Sequence, residues 1–355
     1  MATRSRLGPS AFEIDGGSMD CGSGLLLLVT RGMRAVPAGE VLVVRTEEKS
    51  VVDDLPSWAR LAGHELLGVE EESRSGPWHL SVRRGLQAGF STGGGADLGT
   101  RLWLYTNFDC NLACDYCCAE SSPKAPARRM PADLAFEAVE QFAALGGREL
   151  LLTGGEPFLH PDLGRIVERS AARMPVTVLT NAMVFGRGTR RATLEAMDRD
   201  RVTLQISLDS GTAEGHDRHR GKGSFGRAVE GIRLARDLGF RVRISVTLYA
   251  EDLATLASVH RMLDAEGIPP DDRLVRPVAH EGAAESGVHI TVDSIAPEPT
   301  LTADGAWWHP VGVADQNLRV TDSPLPVDEV FATVRDAVRV QDASAHEGRA
   351  VFRCV

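Results

Sequence analysis

The sequence predicts an α/β chain in two folded parts: a small βαβαββ α+β sandwich within residues 1–84, and a partial (β/α)6 barrel over residues 101–290. Three observations carry this reading. Six strand-like runs alternate with five helical runs after residue 100, the pattern of right-handed βαβ units around a parallel sheet. Residues 85–100 hold six glycines and few large apolar side chains, which marks a linker. The chain is 355 residues long, 43% hydrophobic and 25% charged, a globular balance with room for two or three domains.

In the small part, Phe12 to Ile14 alternate as a short strand, and residues 25–36 place Leu25, Leu28, Val29, Met33 and Val36 on one helical stripe. A β-branched strand follows over 41–45, after a turn at Pro37-Ala38-Gly39. Asp54 is the expected cap of a helix reaching Ala62, with Pro56 in its first turn and Gly63 ending it. Residues 65–71 and 78–83 pair as a hairpin around 73–77. In the large part, strands are expected at 101–106, 149–153, 176–180, 202–208, 241–248 and 273–278. Helices are expected at 131–145, 162–174, 189–197, 225–238 and 252–266. Beyond Ser286 the pattern loosens, and 291–355 reads as an extension ending in a helix over 326–340 with Pro326 at its start.

The net charge of −10 argues against a phosphate backbone as the main partner. The longest aliphatic run, Leu25 to Val29, is too short to span a bilayer, and no signal-peptide pattern precedes it. A cytoplasmic chain that touches neither membrane nor nucleic acid is the expectation.

Four of the six cysteines fall between Cys110 and Cys118. Cys110, Cys114 and Cys117 have the spacing Cys-x3-Cys-x2-Cys just after the first barrel strand, three thiolates on one loop. Zinc wants four ligands, so a zinc knuckle here would need Cys118 or a distant histidine. Three thiolates suit a [4Fe–4S] cluster with one iron left open. Arg243, Arg276 and His280 lie on or after the late strands, where they meet an anionic substrate or simply face solvent. Trp307 and Trp308 in the extension line a pocket or pack on the barrel.

This loop, with Tyr116 before its third cysteine, resembles the signature of the radical S-adenosylmethionine (SAM) superfamily. The same family is echoed by Thr153-Gly154-Gly155-Glu156-Pro157, Thr180-Asn181 and Ser207-Leu208-Asp209 after successive strands, and by His216-Asp217-x-x-Arg220-Gly221-x-Gly223-Ser224-Phe225. The resemblance covers residues 101–290 in order. It implies that Cys110, Cys114 and Cys117 ligate three irons and that SAM chelates the fourth. It also implies that Gly154, Gly155 and Glu156 meet the SAM ammonium. Tyr116, Asn181, Ser207 and Asp209 would complete the SAM site, and Arg218 or Arg220 would pair with the SAM carboxylate. An electron donor such as flavodoxin or ferredoxin is implied as a partner. Only Cys354 follows Cys118, so a second cluster is not expected.

Residues 12–84 resemble the small TusA-like sulfur-carrier family, through Asp20-Cys21-Gly22, Ala38-Gly39-Glu40-Val41-Leu42, Asp54-Leu55-Pro56-Ser57-Trp58 and Gly63-His64-Glu65-Leu66-Leu67. The family's prolines beside the cysteine are missing here. By this resemblance Cys21, at a helix N-terminus, is a persulfide carrier loaded by a cysteine desulfurase. Three readings follow: sulfur insertion into a small metabolite, another radical reaction on a metabolite or peptide with the small part as a recognition module, and an iron–sulfur regulator without catalysis.

Overall fold

In a computed structural model, residues 12–20, 25–37, 40–61, 64–72, 76–84, 98–249, 252, 255–292 and 295–351 are described. Cys21, Cys354, Gly39, Gly63 and most of the 85–100 linker lie outside them. The chain divides into two compact units, Met1–Gly94 with His289–Ala296, and Gly95–Val288 with Pro297–Val355. No helix among the described residues is long and apolar enough to cross a membrane.

The small unit has strands β1 (Phe12–Asp15), β2 (Val41–Thr46), β3 (Glu65–Glu71) and β4 (Trp78–Arg83), ordered β1-β2-β4-β3. Strands β1 and β2 run parallel, and β4 is antiparallel to both its neighbours. Helices α1 (Leu26–Ala35) and α2 (Ser50–Leu61) supply the remaining elements. Alternation along β2 buries Leu42 and Val44, which pack with Val29, Met33, Leu55 and Leu80. One expectation needs correction: α2 starts a turn before Asp54. Thr46 Oγ1 accepts the Glu48 N–H and Glu48 Oε1 accepts the Ser50 N–H, which organises the earlier start. Pro56 therefore sits inside the helix, where it donates no bond to the preceding turn.

In the large unit six strands run parallel: β5 (Arg101–Tyr105), β6 (Glu149–Thr153), β7 (Val176–Thr180), β8 (Val202–Ser207), β9 (Arg241–Leu248) and β10 (Arg273–Pro277). Helices α3 (Ala132–Ala144), α4 (Leu163–Ala171), α5 (Gly188–Ala196), α7 (Ser224–Asp237) and α8 (Leu256–Ala265) connect them. Alternate strand residues such as Leu102, Leu150, Val178, Leu204 and Ile244 join the helices in one apolar core. The intervening residues, among them Trp103, Thr177, Gln205 and Arg243, therefore face inward.

Two elements depart from the sequence reading. The histidine–arginine stretch after β8, absent from the expected helices, forms a helix, α6 (Ala213–Arg220), capped by Thr212 Oγ1 accepting the Gly215 N–H at 3.3 Å. The C-terminal extension adds to the sheet: β11 (Thr300–Thr302) pairs parallel with β5, followed by antiparallel β12 (Gly305–Trp307) and β13 (Arg319–Thr321). The final helix α9 (Val327–Val351) is longer than expected. Residues Trp307 and Trp308 are buried, and Trp307 packs in one cluster with Tyr105, Phe108 and Val313.

Candidate active site

The cysteine loop leaves β5 at its carboxyl end and is anchored by residues the sequence reading passed over. Asn107 is fully buried; its Nδ2 donates to the Asp109 carbonyl at 2.8 Å and the Glu156 carbonyl at 3.1 Å. Its Oδ1 accepts the Thr106 hydroxyl at 2.7 Å. An amide directly after an apolar strand was the available signal. Asp109 is ion-paired to Arg129 at 2.8 Å, which, with the Asn107 bond, outweighs burial and holds its carboxyl below the usual range.

The two glycines after β6 explain their own presence. Gly154 has a φ of +155°, and a Cβ there would stand 2.5 Å from the Asn107 carbonyl oxygen. A Cβ on Gly155 would stand 2.3 Å from the Asp109 carbonyl oxygen. Bare backbone lets the strand end bond the cysteine loop directly, Gly155 N–H to the Asn107 carbonyl at 2.8 Å and Glu156 N–H to the Asp109 carbonyl at 3.0 Å.

None of Cys110, Cys114, Cys117 and Cys118 is in a disulfide. The Leu112 N–H points to Cys110 Sγ at 3.4 Å, the Asn181 amide to the same sulfur at 3.9 Å, and the Ser121 N–H to Cys117 Sγ at 3.3 Å. Such N–H donors are what ligating sulfurs carry around an iron–sulfur cluster, where they tune its potential. Burial pushes the Cys110 thiol up to about 12 and the Cys114 thiol up to about 11, so each needs a cationic partner to ionise. Among the described residues, no three His, Cys, Asp or Glu groups gather around one metal-ion position. Three free thiols on one loop, with N–H groups aimed at two of the sulfurs, fit a [4Fe–4S] cluster, for which Cys110, Cys114 and Cys117 would hold three irons. Cys118 lies near Tyr105, whose hydroxyl donates to the Pro310 carbonyl at 2.7 Å.

Around this loop, several residues implied to touch SAM are engaged within the protein. Glu156 is fully buried, and its carboxylate accepts from Phe158 N–H at 3.1 Å, Thr180 Oγ1 at 2.8 Å and Asn181 N–H at 2.8 Å. Burial outweighs these bonds and raises it to about 7. Its carboxylate thus joins the ends of β6 and β7. Asp209 is likewise a hub: it accepts from the Tyr116 hydroxyl, the Arg220 guanidinium and the Thr247 N–H at 3.0 Å. Burial alone would raise Asp209, but Arg220 holds it below the usual carboxylate range. The Arg220 guanidinium also lies 5.5 Å from the Tyr116 ring centre. Arg218, more exposed, pairs with Asp252, while His219 bridges Asp115 at 2.9 Å and Asp252 at 3.1 Å. Asn181 Nδ2 also reaches Asn111 Oδ1 at 2.9 Å. Ser207 stands at the carboxyl end of β8, level with Ser245 of β9. His280 follows β10, its N–H bonded to the Val288 carbonyl at 2.9 Å.

A parallel sheet with three thiols and a double glycine at its carboxyl edge defines a cofactor-binding α/β domain. Residues 104–263 match the family model of the radical SAM superfamily, and residues 24–84 match that of sulfurtransferase TusA. The large unit thus carries a radical SAM domain and the small unit a TusA-like domain. The chain is 33% identical over 155 residues to the antilisterial bacteriocin subtilosin biosynthesis protein AlbA of Bacillus subtilis, covering 41% of this chain and 32% of that protein. It is 30% identical over 159 residues to the AdoMet-dependent heme synthase of Methanosarcina barkeri, covering 43% and 44% respectively. It is 31% identical over 145 residues to the GTP 3',8-cyclase of Lactiplantibacillus plantarum, covering 39% and 42%. The chain thus spans less than half the length of these curated relatives. The solved structure of native anSMEcpe with bound AdoMet shares the fold, at a TM-score of 0.52 and 11% identity over 65% of this chain and 80% of that one.

Proposed function

We propose that the chain is a radical SAM enzyme that inserts sulfur into a small metabolite, with Cys21 carrying the sulfur as a persulfide. The observation that supports it most is the presence of both a radical SAM domain and a TusA-like domain in one chain. When bound, a [4Fe–4S] cluster and SAM would supply radical chemistry through one-electron cleavage of the sulfonium. The chain's own residues do the remaining work. Cys110, Cys114 and Cys117 hold three irons, and the Leu112, Ser121 and Asn181 N–H groups donate to their sulfurs. Gly154 and Gly155 keep the cysteine loop on the sheet edge. Asp209 orients Tyr116 and Arg220 beside the loop, acting through them as a positioning residue. Ser207, Asn181 and Arg218 are the polar groups proposed to meet SAM. Flavodoxin or ferredoxin would deliver the electron and a cysteine desulfurase the sulfur.

A second reading, modification of a peptide without sulfur transfer, is favoured by the similarity to the bacteriocin biosynthesis protein AlbA. Intact-mass measurement after incubation with a cysteine desulfurase and cysteine separates the two. Sulfur insertion predicts one added sulfur atom, lost in Cys21→Ser. No added sulfur, in protein that still cleaves SAM, would leave the peptide reading in its place.

A further inference from the structure

The inner face of the barrel gathers side chains that offer hydrogen-bond donors without acceptors to match. Gln205 of β8 is 2% exposed, and its Nε2 has no hydrogen-bond partner. Leu204 and Ile206 on either side join the outer core, so Gln205 points inward. Its register partner on β9 is Arg243, and Arg276 on β10 is level with Thr247 of β9, so both arginines share that face. Arg276 in turn lies within electrostatic range of Arg243 and of His309, which precedes a short turn at Pro310–Gly312. His309 Nδ1 accepts the Val311 N–H at 3.2 Å, so the proton of the neutral ring is on Nε2, a fourth donor.

The acidic groups near these arginines have other partners. Glu149 is ion-paired to Arg101 at 2.9 Å, and Glu298 accepts from the Trp103 indole and lies 3.8 Å from Arg101. Asp272 is ion-paired to Arg241 at 2.7 Å. Among the described residues, neither Arg243 nor Arg276 is hydrogen-bonded or ion-paired to a carboxylate; each feels only the longer-range charge of these groups. Desolvation lowers both arginines from their ordinary value, although a guanidinium stays charged. Two partly buried, unpaired cations beside a buried, orphaned amide are costly in a folded chain unless something completes them.

We propose that the barrel interior is an oxyanion site, in which Arg243 and Arg276 receive a carboxylate or phosphate of the substrate and Gln205 and His309 supply neutral donors. This deepens the proposed function and rests on it for the use of the site: the substrate is a molecule with a terminal anionic group, docked anion-first beneath the cysteine loop. Guanidinium groups suit such an anion because they bind it bidentately.

The test uses the full chain without SAM or reductant. Inorganic phosphate and succinate are titrated separately at constant ionic strength, following tryptophan fluorescence and thermal midpoint. The site predicts saturable binding of at least one probe, and which one saturates tells a phosphate from a carboxylate. Affinity should fall about tenfold or more in Arg243→Gln and in Arg276→Gln, a loss of one charge-assisted contact. Absence of saturation by either probe, or equal affinity in the variants, would overturn the proposal. Ligand-free stability gives a second readout. In Gln205→Leu and Arg276→Met the midpoint should hold or rise by about 2–4 °C, because an unsatisfied buried group is removed. A fall in midpoint would make these residues structural and overturn the site. Neither readout involves SAM cleavage, so failure of the radical reaction and failure of this site are seen separately.

Discussion

Gly155→Ala tests how the sheet edge holds the cysteine loop. The new Cβ would lie 2.3 Å from the Asp109 carbonyl oxygen, 2.7 Å from its carbon and 2.8 Å from the Phe108 carbonyl oxygen. All three are backbone atoms, so no side chain can swing aside. Ordinary contact begins near 3.4 Å, so loop and strand must part by about 1.1 Å. That displacement breaks the two bonds that dock them, Gly155 N–H to Asn107 at 2.8 Å and Glu156 N–H to Asp109 at 3.0 Å. Overpacking costs about 1–3 kcal/mol and each lost bond about 1 kcal/mol, for a total of about 3–5 kcal/mol. The expected result is a thermal midpoint lower by about 10 °C, with iron content after anaerobic reconstitution reduced because Cys110 moves with Asp109. Gly226→Ala is the control: nothing lies within 4 Å of its Cβ position in α7, and alanine there should be neutral or stabilise by up to about 1 kcal/mol. A Gly155→Ala chain with unchanged midpoint and full iron content would refute the reasoning.

Further outcomes follow from the same geometry. Replacing Cys110, Cys114 and Cys117 together by Ala should abolish the brown iron–sulfur chromophore, read by its visible absorption, whereas Cys21→Ser should leave it unchanged. Arg220→Met strands the buried Asp209 carboxylate and should cost about 3–5 kcal/mol in urea unfolding. Pairing it with Asp209→Leu should recover only part of that loss, since the Tyr116 hydroxyl and the Thr247 N–H are then left unpaired; additive losses would mean the pair is not coupled. Burial lowers His216 to about 4, so the unfolded chain binds its proton first as pH drops from 6.5. Its contribution, about 3 kcal/mol, is fully present above pH 6.5 and is lost as pH falls toward 4. Midpoints compared at pH 7 and pH 4.5 should fall less in His216→Gln than in the native chain.

Where one rule dominates, the sequence is a sufficient guide. The six barrel strands, buried by helices on one side, read as apolar runs and were placed to within a residue or two. The cysteine loop and double glycine were visible because their chemistry permits few substitutes. The three strands of the extension were hidden because each is three residues long and is set by pairing with β5 rather than by periodicity. Asp304-Gly305, beside the turn between β11 and β12, was the one local cue. Helix α6 is rich in charged residues and lacks an apolar stripe, so its helical state rests on Thr212 and on buried contacts of His216 and Arg220. The internal bonds of Glu156 and Asp209 depend on which atoms the fold brings together across strands. No spacing along the chain encodes that.

The most direct measurement of the central claim is 5′-deoxyadenosine formation by the full chain, reconstituted anaerobically with iron and sulfide and given SAM and dithionite. Chromatography with mass spectrometry should detect deoxyadenosine in the native chain and none in the triple Cys110, Cys114 and Cys117 variant. A native chain that holds its cluster yet leaves SAM intact would contradict the account.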